Sequence, residues 1–168
     1  MKNRINWMSA ILLVFLASTV LAEEAEPNAS VDSMTPEKII SIIKEIDPDA
    51  VVLGATTSFQ YQGNALALIM APDANRMRIV TPVIPIEELT PEQVAATMIS
   101  NYHLALDARY AFGDGLLFSV FIHPLAELTP YQVESAIRQV SSLKQTFGSS
   151  YTSGELTFGV QQNPDVEI

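Results

Sequence analysis

The side chains with the most chemical potential in this sequence are its two histidines and the carboxylates near them. His103 precedes Asp107 by four residues, and His123 ends an apolar run just before Pro124. A histidine beside a carboxylate is the beginning of a general acid–base pair. A metal site usually wants three or four ligands, and His103 with Asp107 offers two at most; an ion pair on a helix surface uses the same spacing. His123, at a strand end, is expected to bond a nearby backbone group. Glu87-Glu88 looks like a paired carboxylate, but acidic residues just before a helix start are favoured by the helix dipole. Gly113-Asp114-Gly115 is too short for a phosphate or calcium loop and suits a hairpin turn. The sequence has no Gly-x-Ser-x-Gly elbow and no Cys, so thiolate metal sites, thiol nucleophiles and redox chemistry drop out. No catalytic, metal-binding or cofactor-binding residue is assigned. The alternative to a non-enzymatic protein is a small envelope hydrolase or ligand-binding domain using His123 with Asp107 or Asp114; a second is a purely structural envelope component.

The elements that would position these residues are marked by a phrase used twice, 39 residues apart: Glu88-Leu89-Thr90-Pro91-Glu92-Gln93-Val94 and Glu127-Leu128-Thr129-Pro130-Tyr131-Gln132-Val133. In each, Thr is a helix N-cap, Pro takes the first helical position, and Gln three residues after the Thr can bond back. Thr35-Pro36 starts another helix, with Ile39, Ile42, Ile43 and Ile46 on one face, ended by Asp47-Pro48. Residues 51–61 alternate, with Val51, Leu53, Ala55, Thr57, Phe59 and Tyr61 on one side, and read as one half-buried strand. Gly63-Asn64 turns into a central strand over 65–70, and Pro72-Asp73-Ala74-Asn75 turns into 76–83. The second helix is expected to align Val94, Met98, Tyr102 and Leu106 inward, with Ala95 and Ile99 widening that stripe. A hairpin follows, Ala108, Tyr110 and Phe112 facing one way before 116–123. The third helix aligns Val133, Ala136, Ile137, Val140, Leu143 and Phe147 and stops at Gly148. The fold class is α+β, an antiparallel sheet packed against helices in the order α-β-β-β-α-β-β-α, with a possible extra strand within 151–160.

Lys2 and Arg4 precede an uncharged segment ending in Val20-Leu21-Ala22, the form of a secretory signal cleaved after Ala22. An uncleaved anchor would need a longer apolar run. The protein is therefore expected to be periplasmic or secreted, with no membrane span after cleavage. Residues 23–33 read as a flexible acidic leader, 34–160 as one domain and 161–168 as a disordered tail. The Asn28-Ala29-Ser30 tripeptide fits a glycosylation sequon but carries little weight. The chain has 9 Lys plus Arg against 19 Asp plus Glu; without Lys2 and Arg4 the formal charge is −12, which repels phosphate backbones and argues against nucleic acid. A sheet covered on one side leaves a face or an edge for a protein or peptide partner. Arg76 and Arg78 share a strand face and either protect an edge or receive an acidic peptide. Tyr110, Leu117 and Phe121 are candidates for the docking patch or for the core.

Residues 76–154 resemble the YbjN-like proteins, a family related in fold to the chaperones of type III secretion. The resemblance rests on Arg76-Met77-Arg78-Ile79-Val80, Asn101-Tyr102, Ala108-Arg109-Tyr110, Asp114-Gly115 before 116–122, and the final amphipathic helix. It implies a secretion-chaperone-like α+β domain, often a homodimer, that binds polypeptides, performs no reaction and holds no cofactor. Those relatives are cytoplasmic, whereas this chain begins with an export signal.

Overall fold

A computed structural model describes residues 33–154 and 156. The expected signal segment 1–22, all of the leader except Ser33, and the tail lie outside these residues, as do residues 155 and 157–160 of the expected domain. Helix α1 (Pro36–Ile46) is followed by β1 (Val51–Leu53), β2 (Thr56–Tyr61), β3 (Asn64–Ala71), β4 (Arg76–Pro85), α2 (Pro91–His103), β5 (Arg109–Gly113), β6 (Leu116–His123) and α3 (Pro130–Thr146), with short 3-10 turns at Pro72–Ala74 and Ile86–Glu88. The strands form one antiparallel sheet in the order β1-β2-β3-β4-β6-β5. The α+β class read from the sequence is the one observed, with one strand more than expected.

The three Thr-Pro starts act as read. Thr90 and Thr129 each accept a bond from the Gln three residues on, whose side chain returns a bond to the Thr backbone, while Thr35 accepts from the Lys38 amide alone. Each cap is worth about 1 kcal/mol. In α1 and α2 the glutamate after the Pro, Glu37 or Glu92, bonds its own backbone N–H and the cap hydroxyl, which holds its carboxyl below the usual range.

The expected strand over 51–61 is instead a hairpin, β1 and β2, folded at Gly54-Ala55. Gly54 has φ +58°, as in two-residue loops that take glycine first. Val51 and Leu53 are consequently 63% and 80% exposed, whereas Thr57 and Phe59 are buried. The next hairpin turns at Gln62-Gly63, one residue before the expected position, and the last at Asp114-Gly115; both have φ of 49° then 78°, positive at both central residues as a type I′ turn requires.

Helix α3 lies across β4 and β6, and α1 packs on α3 and β2. Val133, Ala136, Ile137, Val140 and Leu143 are buried against a sheet face that carries Phe59, Leu66, Leu68, Met77, Ile79, Leu117 and Phe121. Each large aliphatic side chain buried there contributes roughly 1.5–3 kcal/mol. Helix α2 departs from expectation. Met98 and Tyr102 are 65% and 78% exposed, and its buried residues are Thr97 and Ser100. It packs on the sheet margin at β5 and on the segment after α3, where backbone groups need partners: Ser100 Oγ donates to the Tyr151 carbonyl. It ends at His103, so Leu106 is not part of its stripe. Residues 151–154 form no strand.

Tyr110, Leu117 and Phe121 are 5%, 1% and 5% exposed and belong to this core, because their strand positions point at the helices. The Tyr110 hydroxyl donates to the Leu143 carbonyl at 2.6 Å, and Phe147 and Tyr151 meet its ring edge-on. Burial raises its phenol above the ordinary value, a Thr146 hydrogen bond works against this, and Tyr151 adds to it. Folded Tyr110 therefore keeps its proton after the unfolded chain has lost it: the stabilisation is full below pH ~10 and is lost as pH rises beyond, by up to ~1.4 kcal/mol per pH unit. Urea unfolding from pH 8 upward should show this alkaline fall, and Tyr110→Phe should make it shallower. An unchanged slope in the variant would assign the fall to other groups.

Candidate functional site

The face of the sheet opposite α1 and α3 has no layer over it among the described residues. Register places Val51 and Leu53 of β1, Ser58 and Gln60 of β2, Ala65, Ala67 and Ile69 of β3, Arg76, Arg78, Val80 and Pro82 of β4, Phe118, Val120 and Ile122 of β6, and Arg109 and Ala111 of β5 on this side. Ile122 is 63% exposed. No strand position on this face is Asp or Glu, in a chain with 19 of them; three are Arg.

A groove of about 680 Å³ opens on this face, with Ala65, Ala67 and Ser58 among its lining, Val80, Pro82 and Phe118 on one side and Asp47, Asp49 and Val51 on the other. Its origin lies in β4. The β3–β4 ladder stops at Val80, Pro82 can donate no backbone bond, and the β4–β6 register shifts between Pro82 and Ile84. Strand β4 thus leaves β3 where β3 carries alanines, and small side chains leave the space open. A second hollow of about 190 Å³, between Ile69, Arg78, Phe112 and Ile122, shares Val80 and Phe118 with the first. Together they make a continuous, mostly apolar surface with Arg78 and Asp114 toward one end and Asp47 and Asp49 toward the other.

The margins of the sheet are treated unequally. The Asp47 carboxylate accepts the Gln60 amide at 2.7 Å, closing β2 beyond the end of β1. On the far side, Asn101 in the last turn of α2 accepts the Tyr110 amide at 2.8 Å and donates to the Tyr110 carbonyl at 3.1 Å, as a neighbouring strand would. Buried Gln139 accepts the amides of Asp107 and Ala108 and donates to the Asp107 carboxylate. The exposed edge is β1, three apolar residues long.

The suggested acid–base groups are placed differently. His103 ends α2 and Asp107 lies beyond it, so the two do not stand one turn apart on a single helix. His123 Nδ1–H donates to the Pro124 carbonyl at 2.8 Å and its ring stacks on Phe121, the backbone bond expected at a strand end. A polar hollow of about 410 Å³ does bring Asp107 and His123 together with Arg109, Tyr131 and Gln139, but not Asp114, which sits at the β5–β6 turn. The Arg109 guanidinium is turned onto the carbonyls of Leu106 and Ala108. No group of three or more His, Asp or Glu able to hold a metal occurs among the described residues. None of their helices is long and apolar enough to cross a membrane. Arg76 and Arg78 are both exposed on the open face, as their shared strand side predicts. Sequence reasoning missed Ala65, Ala67 and Phe118; the signal available was the run of alanines in an otherwise bulky strand.

No protein-family model matches the chain, and no curated protein does. Among solved structures the fold is similar to one from the HopA1–SchA chaperone–effector complex, at TM-score 0.51 and 10% identity over 64% of this chain and 91% of that one. It is also similar to one from the ExsC–ExsE complex, at TM-score 0.50 and 14% identity over 65% and 90%. The class defined by sheet and helices is thus an α+β domain with the fold seen in those two complexes.

Asn101→Ala should expose the outward amide and carbonyl of Tyr110 to water. The expected loss is roughly 1–3 kcal/mol, with faster hydrogen exchange at the Tyr110 amide than at its neighbours in β6. Unaltered exchange at Tyr110 would mean that the helix alone shields the margin.

Proposed function

We propose that this domain is a non-catalytic polypeptide-binding protein that holds an extended segment of another protein on the open face of its sheet. The single observation that carries the reading is the continuous apolar surface through Val80 and Phe118, opened where Pro82 takes β4 away from β3. Its floor of Ser58, Ala65 and Ala67 suits a peptide backbone with alternate side chains, and the exposed β1 edge offers backbone groups beside it. Apolar side chains supply the affinity and the arginines select against cationic segments. The similarity in fold to a chain of a chaperone–effector complex supports the same direction. So does the resemblance to YbjN-like proteins, two of whose matching stretches meet at the Asn101–Tyr110 bonds. The amino-terminal segment supports an exported protein, acting in the periplasm or outside the cell on partners met there.

A second copy of the chain is the partner for α2. Ala95, Met98, Ile99 and Tyr102 present an uncharged, exposed stripe, and Phe112 of β5 is 54% exposed near Met98. In a chain of net charge −10, two copies can approach most cheaply through a surface without carboxylates.

A photo-crosslinking side chain at position 65, in the groove, should give a discrete adduct in intact cells. The same group at position 134, on the outer side of α3, should not, and Ala67→Glu should abolish the groove adduct while leaving the unfolding midpoint unchanged. Equal adducts from both positions, or none from the groove, would sink the binding assignment. Sedimentation should separately find a dimer that Met98→Glu and Tyr102→Glu each convert to monomer. A wild-type monomer at micromolar concentration would remove the second copy without touching the groove.

A further inference from the structure

Strand β6 runs further than the strand beside it. The β5–β6 ladder ends at Arg109 and Val120, whereas β6 continues through Phe121, Ile122 and His123, which pair only with β4 among the described residues. The two-residue turn at Asp114-Gly115 makes Gly113 and Leu116 a hydrogen-bonded pair, and from there every second residue of β6 aims its amide and carbonyl at β5. The odd positions serve β4 instead: beyond the strand ends, the Leu125 amide donates to the Asn75 carbonyl and the Ile86 amide to the Gly115 carbonyl. Ile122 is an even position, so its N–H and C=O face the place where β5 would continue. Asp107, which would pair with it there, gives its amide to Gln139. The Ile122 amide and carbonyl thus stand side by side without a strand partner, at the polar hollow that Ile122 helps to line.

The side chains around that hollow are each held through one atom and offer another. Asp107 Oδ2 accepts from Gln139 Nε2 at 3.2 Å, which leaves Oδ1. Ser135 Oγ accepts from the same nitrogen at 3.2 Å and keeps its proton to donate. His123 Nδ1 holds its proton against the Pro124 carbonyl, which can only accept, so Nε2 of the neutral ring is a bare acceptor. Tyr131 is exposed, with the Arg138 guanidinium 5.9 Å from its centroid over one face, and the other face remains as an apolar platform. The charges are mixed. A free carboxylate would meet Asp107, and a free amine would meet Arg138 and the Arg109 guanidinium, which the carbonyls of Leu106 and Ala108 hold in place. An uncharged molecule with hydroxyl groups and one amide fits these groups best.

The geometry points to a binding site for a neutral saccharide that carries an N-acyl group. An acetamido group has one N–H and one C=O, the complement of the Ile122 pair, and bonds it as a single residue of a neighbouring strand would. The sugar hydroxyls donate to Asp107 Oδ1 and His123 Nε2 and accept from Ser135, while the C–H face of the ring lies on Tyr131. A peptide strand carries the same amide. Residues 106–108, fixed by Arg109 and Gln139, block such a strand on one side, and β6 ends at His123 on the other, so a single amide unit fits better than a run of them. The hollow of about 410 Å³ has room for a mono- or disaccharide and falls in the range of small-ligand sites, roughly 300–1,000 Å³. It shares no lining residue with the groove at Ala65 and Ala67.

Titrating the protein with N,N′-diacetylchitobiose while following backbone amides by NMR tests this. The Ile122 amide should move saturably, with smaller shifts at Arg109 and Ser135, whereas Ala65 and Ala67 stay still. Cellobiose, the same disaccharide with hydroxyls in place of the acetamido groups, should leave Ile122 unmoved. Asp107→Ala and Tyr131→Ala, both at exposed positions, should each weaken binding by about tenfold, the worth of one hydrogen bond to a charged group or one aromatic contact. Cellobiose binding as tightly as the acetylated sugar, or affinity unchanged in both variants, would overturn the inference. So would a still Ile122 amide, or equal shifts from N-acetylalanine methylamide, which carries the amides without the sugar and would assign the hollow to peptides.

Discussion

Everything in this domain depends on α3, the longest helix among the described residues, covering one side of the sheet. Its Val133, Ala136, Ile137, Val140 and Leu143 lie against β4 and β6, and α1 extends the layer toward β2. A strand alternates its side chains between two faces, so each buried residue on β3, β4 and β6 obliges its neighbour to the other face. Leu68 buried means Ala67 and Ile69 uncovered; Ile79 buried means Arg78 and Val80 uncovered. The open face is thus a geometric consequence of the core, and its composition is where the sequence had freedom. That freedom has gone to alanine, serine, branched aliphatics and arginine, with no acidic residue at a strand position among the described residues.

The sheet margins follow a related logic. A strand edge presents backbone groups that bind another strand unless something occupies them. Here side chains that mimic a backbone do so: the Asn101 amide at Tyr110 and the Asp47 carboxylate at Gln60. Gln139 performs the same service for the turn into β5. In α2 the edge bonds come from Asn101, while buried Ser100 donates to the Tyr151 carbonyl, buried Thr97 to the Val94 carbonyl of its own helix, and Met98, Ile99 and Tyr102 lie outside. A helix that seals a strand edge must bring polar groups to it, and its apolar residues take the remaining side.

This also accounts for what could be read from the sequence. The caps at Thr90 and Thr129 and the buried stripe of α3 were legible because their determinants are local, within four residues or one helix face. Arg76 and Arg78 were legible as a shared side of one strand. The inward direction of α2 was not, since periodicity locates an apolar stripe without saying what lies opposite it. The β1–β2 turn was hidden because Gly54 and Ala55 fit a small-residue position in an alternating strand equally well. Tyr110, Leu117 and Phe121 were open between surface and core, and only the placement of α3 decides for the core. The groove depends on β4 diverging from β3 at Pro82, a relation between strands that no single segment encodes.

The distribution of charge adds a step that the fold alone does not require. Polar groups that could do chemistry are already engaged in holding the chain: His123 Nδ1 on the Pro124 carbonyl, the Asp107 carboxylate on Gln139, the Arg109 guanidinium on two carbonyls. Arg78 stands apart from them, a cation presented between Ile69 and Ile122 on a face whose strand positions carry no acid among the described residues. An exposed cation in an anionic protein lowers the cost of bringing in a negatively charged segment at the position where apolar contacts can then form. The acidic bulk of the molecule repels such a segment elsewhere. Attraction at the arginines and repulsion from the acidic remainder of the surface together favour a negatively charged segment at this face over the same segment elsewhere.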